Sequence, residues 1–233
     1  MALVRPVPGG AETVHRHQFT GQDAALERAV EDNDPAAVEV ALRAGASVNA
    51  QGAHGVTPVE YAIGTSMKRA AAALFRYGAN PNLRDDGSET AVTLAVKLYR
   101  QDHEPLAMVL DAGGDPNTLR PDKDPVIIRF LNDRNLDGIT YLHSRGADLN
   151  IVGRNDEALI VGTATAADWD VVWHMIQLGA DIDAPQTRDG LVATFRNTTA
   201  PPQGSLLYDY KVKVYRLLVS KGLQPLSPVG LTL

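Results

Sequence analysis

Few residues of this 233-residue chain are of types that commonly act in catalysis or bind metal ions, and their spacing does not place them in one site. His15 and His17 could offer two imidazoles to a metal ion, but no carboxylate or third histidine stands at helical spacing from them. His174 follows Trp173 within an apolar helical pattern, which favours core and groove positions over a catalytic pair. The run 112–114, Ala-Gly-Gly, follows a predicted helix instead of opening one, so it does not indicate a phosphate-binding loop. The sequence therefore predicts no catalytic residue, no metal site and no cofactor.

Composition narrows the class of protein further. The formal charge of -6 disfavours nucleic acid as a ligand, because proteins that bind a phosphate backbone carry a basic face. No apolar run approaches the length of about 20 residues that a membrane-spanning helix needs, and the first residues do not resemble a secretory signal. We therefore expect a cytoplasmic protein that does not bind membranes. Because the chain has no cysteine, it can form neither disulfides nor thiolate metal sites. Alanine is abundant and only 6 of the 22 basic residues are lysines, a composition that suggests a bacterial coding sequence.

The strongest pattern is a phrase that ends a predicted helix with glycine and continues through small residues to asparagine or aspartate. Five copies occupy residues 41–49, 74–82, 109–117, 141–150 and 175–183. Their marker glycines, Gly45, Gly78, Gly113, Gly146 and Gly179, are separated by 33, 35, 33 and 33 residues. A nearly constant period predicts a repeat architecture, in which glycine ends a helix in the left-handed conformation and the asparagine orders the turn.

Two segments carry a family resemblance. The segment 57–62, Thr-Pro-Val-Glu-Tyr-Ala, resembles the helix-start motif T-P-L-H-x-A of ankyrin repeats, and 78–82, Gly-Ala-Asn-Pro-Asn, resembles that family's G-A-D-x-N turn. Thr57 is suited to capping a helix and Pro58 to its first turn. The later helix starts lack the family's histidine. The resemblance implies an all-α ankyrin-repeat solenoid of stacked antiparallel helix pairs with β-turn fingers.

The pattern divides the chain into three parts. Residues 1–21 form an irregular lead-in, residues 22–222 a domain of about six repeats, and residues 223–233 a tail that is expected to cover the end of the stack. The two surplus residues of the third unit are expected in the polar link 100–104.

The period fails in the last repeat. Gly222 follows Gly179 by 43 residues instead of 33, which corresponds to about ten inserted residues. The surplus is assigned to a polar Pro/Gly segment near 196–208, which predicts a long loop before a final helix at 212–222.

The resemblance implies binding on the fingers and on the inward face of the first helices. The fingers are expected at residues 50–56, 83–89, 118–124, 151–156 and 184–190. The candidate partner-binding residues are His54, Arg84, Asp86, Arg120, Lys123, Arg154, Asp156, Arg188, Asp189, Tyr208 and Tyr210. The four arginines recur at spacings of 36, 34 and 34, and a stacked array would align them as a mixed-charge edge. The alternative interpretation is that turns are polar because they face water, and that Tyr208 and its neighbours are helical core.

Family resemblance and the lack of catalytic chemistry together predict a non-catalytic protein-protein interaction module that is monomeric on its own. The expected partner is another protein, a toxin or enzyme of basic or mixed charge. The most concrete hypothesis is a bacterial immunity protein that neutralises a secreted antibacterial toxin. The alternatives are a scaffold or adaptor that binds a cellular enzyme without inhibiting it, and an enzyme that uses His174 within a deep pocket.

Overall fold

The computed structural model describes residues 19–153, 156–223 and 225. Within these residues the chain forms twelve α-helices and one short 3-10 helix, and it forms no β-strand beyond an isolated bridge between Val152 and Ala158. The predicted all-α class is confirmed for this part of the chain. The chain divides into two compact units, Met1–Pro121 and Asp122–Leu233, called unit 1 and unit 2.

Unit 1 contains three consecutive helix pairs. The helices are α1 (Asp23–Glu31), α2 (Pro35–Arg43), α3 (Pro58–Gly64), α4 (Lys68–Arg76), α5 (Ala91–Leu98) and α6 (Glu104–Asp111), with the 3-10 helix at Ala53–Gly55. Each odd-numbered helix packs on the helix that follows it, and α3 also packs on both α1 and α5. Leu26, Leu74 and Leu106 are fully buried in the core of this unit, as are the small residues Ala62, Ala70 and Ala95. Small buried side chains allow packed helices to approach closely.

Unit 2 repeats this arrangement with longer final helices. Its helices are α7 (Ile128–Asn132), α8 (Leu136–Ser144), α9 (Leu159–Thr165), α10 (Trp169–Gln177), α11 (Pro185–Asn197) and α12 (Leu206–Ser220). Helix α9 packs on α7, α10 and α11, while α12 packs on α10. The aromatic rings of Trp169 and Phe195 lie 4.9 Å apart between their centres in the core of this unit.

The predicted helix ends are confirmed. Thr57 Oγ1 accepts a hydrogen bond from the Glu60 amide at 3.2 Å, Glu60 Oε2 accepts one from the Thr57 amide at 2.7 Å, and Pro58 occupies the first turn of α3. All five marker glycines have a positive φ, with values from 83° at Gly78 to 103° at Gly45. Glycine therefore ends the second helix of each pair, because it adopts the left-handed backbone conformation without a steric penalty.

The two surplus residues of the third repeat lie where the sequence predicted them. The link between α5 and α6 comprises five residues, 99–103, whereas four other helix pairs have links of three. The insertion in the last repeat is narrower than predicted, because α11 continues to Asn197 and α12 already begins at Leu206. Ser205 Oγ accepts a hydrogen bond from the Tyr208 amide at 3.2 Å, which caps α12 earlier than position 212. Residues 1–18 of the predicted lead-in and nearly all of the predicted tail lie outside the described residues.

The asparagine of the repeated phrase does not order its own turn, which corrects the sequence prediction. In the second copy, Asn80 Oδ1 accepts from the Asn82 amide at 3.0 Å, so the residue two positions earlier holds the turn. The Asn82 side chain reaches the next repeat instead, where Oδ1 accepts from the Asp115 amide at 2.8 Å and Nδ2 donates to the Gly113 carbonyl at 2.9 Å. The asparagine is therefore a joint between consecutive repeats.

The same joint recurs in both units. In unit 1, Asn49 Oδ1 accepts from the Asn80 amide at 2.8 Å. In unit 2, Asn150 Oδ1 accepts from the Asp181 amide at 2.7 Å. The partners are 31 residues apart in both cases, so each bond joins the asparagine of one repeat to the amide of the residue two positions after the marker glycine of the next.

Removal of one joint should weaken unit 1. Asn82→Ala eliminates two side-chain hydrogen bonds to the main chain of the following repeat, and we expect the free energy of unfolding to fall by about 1 to 2 kcal/mol. Urea denaturation measures this loss. The control is Asn197→Ala, an exposed asparagine at the end of α11. Equal stability of the two variants would show that the joint contributes nothing.

Candidate partner-binding site

The two fingers of unit 1 that carry His54 and Asp86 contact each other. The Asp86 amide donates to the His54 carbonyl at 2.8 Å. Gly55 has a φ of 71°, and a Cβ atom there would lie 2.9 Å from Asp86 Oδ1, so the close approach requires glycine. The side chains of His54 and Asp86 are both exposed at this contact, and their predicted role in partner binding stays a prediction.

Arg84 is exposed, but its guanidinium is already engaged by the protein. Its Nη1 donates to the Ser88 carbonyl at 2.8 Å and to the Leu119 carbonyl at 2.9 Å, and Nη2 donates to Thr118 Oγ1 at 3.2 Å. Arg84 thus connects two neighbouring fingers of unit 1. A structural role of this kind was not predicted from the sequence.

The remaining candidate residues on the fingers differ in their exposure to solvent. Arg120, in unit 1, is half-buried, whereas Lys123 and Asp156, in unit 2, are exposed. Lys123 and Asp156 adopt positive φ values of 67° and 55°, which is typical of tight turns. Arg154 lies outside the described residues.

The predicted fifth finger, residues 184–190, is wrong. Pro185 begins α11, and Arg188 and Asp189 lie in its first two turns, where Arg188 Nε is 3.2 Å from Asp189 Oδ1. The proline fixes φ at a helical value in the first turn, while Ala184 before it is extended, so the helix begins directly after the turn. The predicted row of finger arginines therefore does not extend to Arg188.

The two tyrosines of α12, which were predicted to contact a partner, differ in their exposure to solvent. Tyr208 is only 6% exposed because it packs in a small cluster with Val212, which corrects its assignment as an accessible residue. Tyr210 is half-buried, and Lys213 Nζ lies 4.6 Å from the centre of its ring. Tyr210 therefore remains a surface candidate, whereas Tyr208 belongs to the packing of the helix.

His174 lies on α10 and is half-buried. Its Nε2 is 2.8 Å from Thr140 Oγ1 on α8, and the ring does not line the cavity described below. The neighbouring Trp173 is also half-buried and lies beneath Lys213, whose Nζ is 5.8 Å from the ring centre. Both positions fit the predicted groove and core role.

A cavity of about 200 Å³ lies within unit 2, and the sequence did not predict it. It opens between α7 and α9, which are the first helices of two consecutive pairs. Apolar side chains of Ile128, Leu131 and Leu159 form part of its lining.

Three carboxylates also line this cavity. Asp124 precedes α7, Glu157 precedes α9, and Asp168 precedes α10. Asp124 is only 7% exposed, whereas Glu157 is exposed. We call this cavity, with its apolar lining and these three carboxylates, the acidic groove.

One carboxylate of the acidic groove, that of Asp168, is partly desolvated. Burial raises the pKa of Asp168 above its ordinary value, and the Arg134 guanidinium opposes this shift. The Nε of Arg134 lies 3.5 Å from Asp168 Oδ1, but its Nη2 makes a shorter ion pair of 2.7 Å with Asp170. Asp168 therefore already has a cationic neighbour, which it shares with Asp170.

A sequence signal for the acidic groove does exist. Asp124 and Glu157 are 33 residues apart, and each lies 11 residues after a marker glycine. This is the position of Glu89, directly before the position at which Thr57 and Thr90 cap α3 and α5. Neither Asp124 nor Glu157 caps a helix through its side chain, since α7 and α9 have no side-chain cap. An acidic residue that recurs at this position in three successive repeats is therefore the signal.

No three acidic or histidine side chains among the described residues converge as metal ligands. No described helix is both long and apolar enough to cross a membrane.

Comparison with known proteins gives little information about family. No protein-family model matches this chain. A stretch of 85 residues, 36% of the chain, is 31% identical to the ADP-ribosylation factor GTPase-activating protein AGD2 of Arabidopsis thaliana. That stretch spans 11% of the length of the Arabidopsis protein. The similarity is therefore local and does not assign the chain to a family.

Proposed function

We propose that this chain is a non-catalytic protein-binding module of ankyrin-repeat type, and that it acts in the bacterial cytoplasm as an immunity protein that blocks a secreted antibacterial toxin. The observation that carries the proposal is a series of repeats connected by hydrogen bonds from asparagine side chains. Side chains such as Asn49 and Asn82 fix the main chain of the next turn, while charged groups on the intervening fingers stay exposed. A rigid scaffold that presents exposed loops is the usual arrangement of a repeat protein that binds other proteins.

The acidic groove supports the same proposal. It lies on the first helices of consecutive pairs and beside a finger, which is where the resemblance to ankyrin repeats implies binding. The net charge of -6 favours a partner of basic or mixed charge, since complementary potentials speed association and reject wrong partners. The GTPase-activating activity named for the Arabidopsis protein is not part of the proposal, because the similarity spans so little of that protein.

Co-expression tests the proposed function directly. Each toxin encoded beside this gene is produced in a bacterial host with and without the chain, and we expect the chain to restore growth and to co-purify with one of them. Leu142→Asp, which places a charge at a fully buried position of α8, should abolish protection by removing the fold.

Two outcomes would contradict the immunity role. If the chain protects against none of the neighbouring toxins and co-purifies with none, the proposal fails. A bound partner that keeps its full activity would instead identify a scaffold or adaptor.

A further inference from the structure

Two aromatic rings and a lysine ammonium meet where α10 and α12 of unit 2 pack together. Trp173 of α10 and Tyr210 of α12 are both half-buried, and Lys213 of α12 is exposed. The Lys213 Nζ lies 5.8 Å from the centre of the Trp173 ring and 4.6 Å from the centre of the Tyr210 ring. One ammonium therefore holds both rings at a single place on the surface.

An exposed leucine extends this surface along α12. Leu206, Tyr210 and Lys213 are separated by four and three residues, so they lie on one face of the helix. Leu206 is 67% exposed although it is a large apolar side chain. Tryptophan and tyrosine beside an exposed apolar residue are typical of the centre of a protein interface. We call Trp173, Leu206, Tyr210 and Lys213 the aromatic patch.

The aromatic patch contains hydrogen-bond donors that the protein does not use. The Trp173 indole, the Tyr210 hydroxyl and the Lys213 ammonium make no hydrogen bond or ion pair with any other described residue. Asp209 lies one turn before Lys213, but it forms no ion pair with Lys213. The unused polar groups of the patch can therefore serve a binding partner.

The chemistry of these groups selects an acidic partner. An indole and an ammonium can only donate hydrogen bonds, and a tyrosine hydroxyl can also donate one. Arg216 is exposed one turn after Lys213 and adds a second cation on the same helix. A carboxylate is the complementary group, because hydrogen bonds between charged donors and charged acceptors are stronger than neutral ones.

We propose that the aromatic patch binds an acidic segment of the partner protein. A carboxylate of that segment pairs with Lys213 and accepts from Tyr210, while an adjacent apolar side chain packs on Leu206. This inference rests on the proposed protein-binding function and specifies where a partner of mixed charge presents its acidic residues. It also places a contact on second helices, whereas the resemblance to ankyrin repeats implies binding on the fingers and first helices.

The two tryptophans make the site testable without a known partner. Trp169 is fully buried, so its indole N–H signal in NMR spectra is an internal control for that of Trp173. The full chain is titrated with the capped peptides Leu-Glu-Phe-Glu-Leu, Leu-Gln-Phe-Gln-Leu and Leu-Lys-Phe-Lys-Leu. We expect a saturable shift of the Trp173 signal with the glutamate peptide, about tenfold weaker binding of the uncharged glutamine peptide and no binding of the lysine peptide. The Trp169 signal should not move.

Two variants separate charge from apolar contact. Lys213→Met removes the ammonium at an exposed position, and it should weaken the glutamate peptide about tenfold while leaving the glutamine peptide nearly unaffected. Leu206→Ser removes the exposed apolar side chain and should weaken both peptides by the same factor. The matched control is Arg69→Met, which removes one positive charge from an exposed position of α4 and should bind the glutamate peptide normally.

Several results would overturn the inference. Equal binding of the glutamate and glutamine peptides would show that charge is not recognised, and equal losses in Lys213→Met and Arg69→Met would show a response to net charge alone. Vesicles of phosphatidylserine that shift the Trp173 signal when the glutamate peptide does not would indicate a membrane surface instead. No shift with any probe would exclude a site at the patch.

The same variants distinguish this inference from the proposed function. If Lys213→Met and Leu206→Ser, combined in one chain, still neutralise the toxin fully, the patch inference fails while the proposed function stands. If no toxin is neutralised but the glutamate peptide shifts the Trp173 signal, the proposed function fails while the site remains.

Discussion

Exchanging Glu60 for glutamine should raise the free energy of unfolding, relative to wild type, by about 2.5 kcal/mol on going from pH 5 to pH 8. Glu60 is only 3% exposed, and its Oε1 is buried without a hydrogen-bond partner. Burial raises the pKa of its carboxyl from 4.5 to about 7, the Thr57 donors oppose the shift, and Asp85 and Glu89 add to it by repulsion.

The sign follows from the protons that each state binds. Between pH 4.5 and about 7 the folded protein keeps the proton on Glu60 while the unfolded chain releases it, so wild-type stability falls as the pH rises through this window. Above about pH 7 the carboxylate is ionised in both states, and the folded state carries the full cost of burial. A glutamine at position 60 is neutral throughout, and its oxygen can still accept from Thr57.

Urea denaturation of the wild type and Glu60→Gln at pH 5 and pH 8 measures this difference. Glu39→Gln is the matched control, because Glu39 pairs with Arg43 on the outer side of α2, and it should leave the pH dependence close to that of the wild type. Parallel profiles for Glu60→Gln and the wild type would refute the raised pKa of Glu60.

Lys211 should give the opposite pH dependence in unit 2. It lies on α12 with no exposed surface, and its Nζ donates to the Thr198 carbonyl at 3.1 Å, to Thr198 Oγ1 at 2.9 Å and to the Thr199 carbonyl at 3.0 Å. The ammonium also lies 4.7 Å from the centre of the Trp169 ring. These contacts fix the start of the inserted loop after α11.

Burial lowers the pKa of Lys211 from 10.5 to about 8. Between these values the unfolded chain still holds a proton that the folded protein has released, so stability rises with pH through this window. Titration of Lys211 should therefore raise the free energy of unfolding by about 2.5 kcal/mol between pH 7 and pH 10.

Lys211→Met should remove this rise and should cost about 2 kcal/mol at pH 7, because two carbonyls and a hydroxyl lose a charged donor. The gap to the wild type should widen to about 4.5 kcal/mol at pH 10. Lys213→Met, an exposed position on the same helix, is the control and should keep the wild-type rise. A constant gap between wild type and Lys211→Met would contradict the lowered pKa.

Features that depend on residues adjacent in the sequence were predicted correctly. The cap at Thr57, the first-turn proline at Pro58 and the left-handed glycines at Gly45 and Gly78 follow from local backbone chemistry, and the structure confirms them. The period of the repeats also located the two surplus residues between α5 and α6. Such features are predictable because each depends on a few consecutive residues.

The features that sequence reasoning missed depend on contacts between distant residues. Asn82 was assigned to its own turn, but its partners are 31 and 33 residues further along the chain. The burial of Lys211 depends on where α11 ends, which the polar segment before it did not indicate. Arg188 was placed in a finger because the period was extended through Pro185, where the helix actually begins.

The acidic groove was missed for a similar reason. Asp124, Glu157 and Asp168 were not among the candidate partner-binding residues predicted from the sequence. Only the packing of α9 on α7 and α10 brings the three carboxylates to one cavity. The recurrence of an acidic residue 11 residues after successive marker glycines, at Glu89, Asp124 and Glu157, was the available signal.

The central claim is that this chain binds a toxin and blocks its activity without catalysis. Isothermal titration of the purified chain with the toxin encoded beside its gene, with toxin activity assayed on the same samples, tests it most directly. We expect a one-to-one complex in which toxin activity falls in proportion to the fraction bound and returns when the complex is dissociated. Absence of binding heat with toxin activity unchanged, or a loss of activity that persists after the chain is removed, would contradict it.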